Sequence, residues 1–107
     1  MNRQEAEAII RSILDGPRPL DRTGHFMENL TEEGFTLQDI NPILKSHSVR
    51  GAVEARPNGT YRMRLIGKCL EGRPTLLVMD LRVEGPCTLV SIMEDKASPG
   101  SKKRRAR

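Results

Sequence analysis

The stretch Tyr61-Arg62-Met63-Arg64-Leu65-Ile66 alternates apolar and basic side chains. As a strand it presents Tyr61, Met63 and Leu65 on one face and Arg62 and Arg64 on the other. The pleat sets the two guanidiniums side by side, about 7 Å from one another. If the following hairpin aligns Leu77, Met79 and Leu81 with Tyr61, Met63 and Leu65, then Asp80 and Arg82 join the arginine face. Lys68 adds a cation at the end of the same stretch. Such a set reads in two ways. Guanidinium is planar, permanently charged and bidentate, which suits it to phosphate. The same residues also fit cross-strand ion pairs, Arg62 or Arg64 with Asp80, on a solvated sheet face.

His25 falls in the first turn of an expected helix, where free backbone N–H groups favour anions. An imidazole there can act as general acid or base, or simply stand on the surface. His47, in Lys45-Ser46-His47-Ser48, reads as a loop residue at a helix exit. Cys69 and Cys87 show no C-x-x-C spacing and fit reduced, partly buried thiols. No pair among these four sits at metal-ligand spacing, so no metal site is expected. The chain has no G-x-S-x-G, no phosphate-cradling glycine loop and no H-E-x-x-H. A reaction in this chain would proceed without a bound cofactor.

These side chains must be positioned by about one domain's worth of chain, 107 residues. With two Phe, one Tyr and no Trp, the core must be built from Ile, Leu, Val and Met. The longest apolar run, Leu76-Leu77-Val78-Met79, is strand-sized and far short of a membrane span. The Met-Asn-Arg-Gln-Glu start lacks the apolar region of a secretory signal, so a cytoplasmic location is expected. The net charge of +4 is unevenly placed: residues 102–107 carry five positive charges. Without those five, 13 basic residues face 14 acidic ones, and the body is nearly neutral. A basic tail attracts polyanions without sequence discrimination, so Lys102, Lys103, Arg104 and Arg105 are candidate phosphate contacts.

Periodicity predicts helices first and strands afterwards. Asn2 and Glu5 make a capping box, and Ala6, Ile9, Ile10, Ile13 and Leu14 recur at helical spacing until Gly16-Pro17 stops the helix. Arg18-Pro19-Leu20-Asp21 reads as a connector. A second helix runs from about Thr23, its N-cap, to Glu33, burying Phe26, Met27 and Leu30. A third starts at Thr36 and carries Leu37, Ile40, Ile43 and Leu44; Pro42 either kinks it or follows Asn41 as a new cap. After Ser46 the period becomes two. Strands follow over residues 49–56, 61–66, 75–83 and 87–93, with turns at Pro57-Asn58-Gly59, residues 70–74 and Glu84-Gly85-Pro86. The expected fold is α+β: two to three N-terminal helices packed on a four-stranded antiparallel meander. Residues 1–95 form the single domain and 96–107 a disordered basic tail.

Several segments resemble a family of small uncharacterised bacterial proteins with the patterns T-x-H-A, R-M-x-E-R-G-I-S, G-R-x-L-x-V-V and V-x-T-V. They are Thr23-Gly24-His25-Phe26, Gly34 to Ile40, Tyr61 to Gly67, Gly72-Arg73-Pro74-Thr75-Leu76-Leu77-Val78, and Leu89-Val90-Ser91-Ile92. That family is similar to the RelE/ParE-like toxins of toxin–antitoxin pairs, with a barnase–EndoU–RelE type of fold. The resemblance places the family's leading histidine on His25 and its strand arginines on Arg62 and Arg64. It also shows a departure. Asn29-Leu30 stands where the family has R-M, and Glu32-Glu33-Gly34 where it has E-R-G, so two helix-borne positive charges are missing.

The resemblance implies a metal-independent endoribonuclease-like toxin acting on RNA or the ribosome and neutralised by a cognate antitoxin. In that reading Arg62, Arg64 and Arg82 hold the scissile phosphate and His25 assists proton transfer. The alternative is a non-catalytic nucleic-acid- or protein-binding accessory domain with a degenerate site, its affinity supplied by the basic tail. With no heptad and no long apolar surface run, a monomer when free is expected.

Overall fold

The computed structural model describes residues 1–16 and 18–96. The stop read at Pro17 and the tail with Lys102, Lys103, Arg104 and Arg105 therefore lie outside the described residues. The first helix, α1 (Arg3–Leu14), carries the expected capping box: Asn2 Oδ1 accepts the Glu5 N–H and Glu5 Oε1 accepts the Asn2 N–H, both at 2.8 Å. Its stripe of Ala6, Ile9, Ile10 and Ile13 is buried. Next come α2 (Gly24–Glu32), whose N-cap Thr23 accepts the Phe26 N–H, and α3 (Ile40–Ser46), preceded by a 3-10 turn over Leu37–Asp39. Pro42 neither kinks a helix nor follows a cap at Asn41. The 3-10 turn ends at Asp39, α3 starts at Ile40, and Pro42 lies in the first turn, where no intrahelical partner for its nitrogen is required. Met27 and Leu37, expected in the core, are exposed at 38% each, while Phe26, Leu30, Ile40, Ile43 and Leu44 are buried.

The strands are β1 (Leu20–Arg22), β2 (Ser48–Ala55), β3 (Tyr61–Lys68), β4 (Pro74–Leu81) and β5 (Cys87–Glu94). Among the described residues they form one sheet in the order β1-β5-β4-β3-β2. The antiparallel meander β2 to β5 is as expected, with β4 central. The fifth strand corrects the four-strand reading. Leu20–Arg22 is no connector but pairs parallel with β5, Leu20 opposite Cys87 and Arg22 opposite Leu89, so the sheet is mixed. Three residues are too few to show a period, and their pairing is with a segment more than 60 positions away.

All three helices bury their apolar stripes against one face of this sheet. Ala6, Ile10, Phe26, Leu30, Ile43 and Leu44 share a single core with Met63, Leu65, Leu77, Met79, Leu89 and Ile92. The closest approach is at Gly67. A Cβ there would collide with the Ile43 carbonyl of α3. At the same contact Ser46 Oγ accepts the Lys68 N–H at 2.8 Å. Such a helix-to-strand distance admits no side chain. At the other end, the Arg18 guanidinium donates to the carbonyls of Arg82, Val83 and Gly85, fixing the β4–β5 turn.

Candidate functional site

The sheet face opposite the core is where the strand register collects the arginines. Arg62 stands opposite Asp80 and Met63 opposite Met79, as the alternation of β3 and β4 requires. Arg62 Nε and Nη2 donate to the two Asp80 oxygens at 2.9 and 3.1 Å, a bidentate pair in which both side chains are largely buried. Asp80 raises the Arg62 pKa above its ordinary value, chiefly through these hydrogen bonds; burial opposes the shift, and the Asp80 and Glu54 charges add to it. Of the two readings open for this face, Arg62 takes the ion-paired one.

Arg64 is held more loosely. Its Nη1 lies 3.4 Å from Glu54 Oε1, and the two side chains are 40% and 53% exposed. Directly opposite Arg64, across β2 and β3, is Arg50. Its guanidinium donates through Nη1 and Nη2 to Asp95 at 3.3 and 3.1 Å, and Asp95 is buried. Sequence reasoning missed Arg50, Glu54 and Asp95. Arg50 and Glu54 do share a parity in β2, which was a usable signal. Their cross-strand partners depend, however, on an irregularity between them that shifts the register.

The remaining candidates are dispersed. Arg82 is exposed one position past β4, in the turn clamped by Arg18. Lys68 is exposed at the far end of β3, about 20 Å along the strand from Arg62. His25 is exposed in the first turn of α2. That helix runs along β5 and packs on the core face. His25 therefore stands in the helix layer, while Arg62 and Arg64 lie two strands from β5 on the opposite face. The fold does not bring the histidine and the arginines into one site.

His47 is not a free loop residue. Its Nε2 lies 2.6 Å from Glu7 Oε1 and its Nδ1 2.5 Å from the Leu44 carbonyl, tying α1 to the α3–β2 junction. Arg73 is also committed: it stacks over the Phe35 ring at 4.1 Å and donates to the Glu33 and Gly34 carbonyls at the end of α2. Among the described residues no group of three His, Cys, Asp or Glu side chains gathers as a metal site, and Cys69 and Cys87 are free and buried. No described helix is long and apolar enough to cross a membrane.

The two positions that depart from the toxin pattern have structural work. β1 ends opposite Leu89, and among the described residues no strand covers the rest of that β5 edge. Asn29 Oδ1 accepts the Ile92 N–H at 2.7 Å and the Ser91 hydroxyl at 3.0 Å, and Glu33 Oε1 accepts the Glu94 N–H at 3.4 Å. α2 thus closes the edge with side-chain acceptors. No protein-family model matches the chain, and no curated protein matches it. The resemblance to RelE-like toxins rests on its short motifs.

Proposed function

We propose that this chain is a non-catalytic accessory module that binds nucleic acid, with its open sheet face and basic C-terminal segment both contacting the phosphate backbone. One observation carries this reading: Arg62 is bound bidentately to Asp80, while His25 belongs to α2, whose Phe26 and Leu30 pack into the core on the face of β3 away from Arg62 and Arg64. Metal-free phosphoryl chemistry needs cations and a proton-transfer group around the same phosphate. Binding needs neither convergence nor a base, only cations spread over a surface. The module acts in the cytoplasm, as a monomer until it meets its partners.

The second reading is the metal-independent endoribonuclease toxin, with RNA or the ribosome as target and an antitoxin covering the arginine face. The adjacent, half-exposed Arg50 and Arg64 favour it, being cations on one face that a scissile phosphate could reach. One experiment separates the two. The purified full chain is incubated with single-stranded RNA in excess EDTA, and both cleavage and retention are followed as salt is varied. The accessory reading expects intact RNA and binding that weakens steeply with salt. Defined cleavage products that vanish in Arg64→Ala would establish the ribonuclease instead, and absence of any binding would end both readings.

A further inference from the structure

We infer that the His47–Glu7 pair is a proton-dependent latch that ties α1 to the α3–β2 junction. The inference stands apart from the nucleic-acid-binding reading and uses none of its residues. Both ring nitrogens of His47 face oxygens: Nδ1 lies 2.5 Å from the Leu44 carbonyl and Nε2 lies 2.6 Å from Glu7 Oε1. A carbonyl and an ionised carboxylate can each only accept, whereas a neutral imidazole has a single N–H to give. Both contacts are made together only when the pair holds one proton more than a neutral ring beside a carboxylate, as imidazolium with ionised Glu7. The His47 side chain is 12% exposed, so solvent reaches little of it. Its place in the fold suits a cation. His47 is the C-cap of α3, and the Leu44 carbonyl is among the last four of that helix, where the dipole favours positive charge.

The two contacts respond differently when that proton leaves. The bond to Leu44 is local, three residues back along the chain, and the backbone of the helix exit fixes it. The bond to Glu7 joins segments 40 positions apart, and the Glu7 side chain is 38% exposed. The neutral ring therefore keeps the Nδ1–H that donates to Leu44. Its bare Nε2 then faces a carboxylate, and Glu7 swings into solvent. α1 retains the burial of Ala6, Ile9, Ile10 and Ile13 but loses its tie to the α3–β2 junction. The latch is thus closed at lower pH and opens as pH rises. In acid Glu7 is neutralised, which weakens the tie without breaking it, since a protonated carboxyl retains an acceptor oxygen. The other charged side chains lining the groove around the pair are Arg11 of α1 and Lys45 of α3, while β2 begins with the uncharged Ser48 and Val49. Those two cations favour ionised Glu7 and oppose the charge on the ring.

The test follows the full chain by NMR over about pH 6 to 9, the range in which an imidazole changes charge. It reads the two ring nitrogens of His47 and the amide hydrogen exchange of α1, corrected for intrinsic pH dependence, with α2 as the internal reference. The expected ring carries protons on both nitrogens at the low end and on Nδ1 alone at the high end. Protection of α1 should fall with the same midpoint by about three- to tenfold, the range open to a part-exposed, charge-assisted hydrogen bond, while α2 stays level. Glu7→Gln should remove the pH dependence of α1, because an amide can accept from Nε2–H or donate to the bare Nε2. Glu7→Ala should hold α1 at the open level at every pH. His25→Gln, which replaces the other histidine of the chain, should leave the response of α1 in place. A neutral ring with its proton on Nε2 overturns the latch, as does α1 protection that does not follow the ring. A pH response that survives Glu7→Gln, or one that vanishes in His25→Gln, overturns it equally.

Discussion

Asn29 of α2 and Ile92 of β5 are joined by a 2.7 Å hydrogen bond in which a side-chain oxygen takes the place of a neighbouring strand. The same oxygen accepts the Ser91 hydroxyl. Asn29→Ala leaves a partly buried N–H without an acceptor, which typically costs about 1–3 kcal/mol. Asn29→Arg, which restores the side chain of the toxin pattern, removes the same acceptor. Denaturant unfolding should show both variants less stable than the wild type, with Asn29→Asp close to it because the carboxylate still accepts. Neither variant should gain RNA cleavage.

Arg62 and Arg64, equivalent in the sequence pattern, should respond differently to substitution. Arg62→Ala strands the Asp80 carboxylate, whose side chain is 13% exposed, and is expected to cost about 1–3 kcal/mol. Arg64→Ala removes an exposed pair worth ~0–1 kcal/mol. Replacing Arg62 and Asp80 together should recover part of the loss in a double-mutant cycle measured by thermal unfolding. Equal effects of the two single substitutions would refute the assignment of Arg62 as structural.

Gly67→Ala adds one methyl group where β3 meets the backbone of α3. The Ile43 carbonyl cannot rotate aside as a side chain would, so the helix must shift. Overpacking of this kind costs about 1–3 kcal/mol. The expected signature is a lowered unfolding midpoint, together with faster hydrogen exchange in α3 than in α2.

Deleting residues 102–107 removes five positive charges and one alanine, with no large apolar residue among them. Stability to denaturant should stay unchanged. Non-specific RNA affinity should fall, and the slope of log affinity against log salt should flatten by roughly 0.7 for each lost single-strand phosphate contact. Binding titrations at several salt concentrations check both expectations.

The helices and the four long strands were legible because their signals are local. Asn2 with Glu5, Thr23 before Phe26, and the alternation of Tyr61 to Leu65 each act over a few residues, and the hydrophobic effect enforces each period. The pairing of Arg62 with Asp80 was among the outcomes read from the alternation because the β3–β4 hairpin is regular. Local signals reached no further. Met27 and Leu37 fit the apolar pattern of their helices, yet the sheet offers no surface for them to cover.

The tertiary structure alone decided the rest, and the reason is sequence distance. β1 exists because the chain leaving α1 meets the edge of β5, and three isolated residues have no strand propensity of their own. The Arg50–Arg64 pair depends on an irregular register in β2, the Arg50–Asp95 pair spans 45 positions, and the His47–Glu7 pair spans 40. Periodicity places a side chain on a face; which charge it meets there is set by how far the strands slide and where the helices end. The sequence therefore determined the arginine face, while the packing of α2 on the other side of the sheet separated His25 from it.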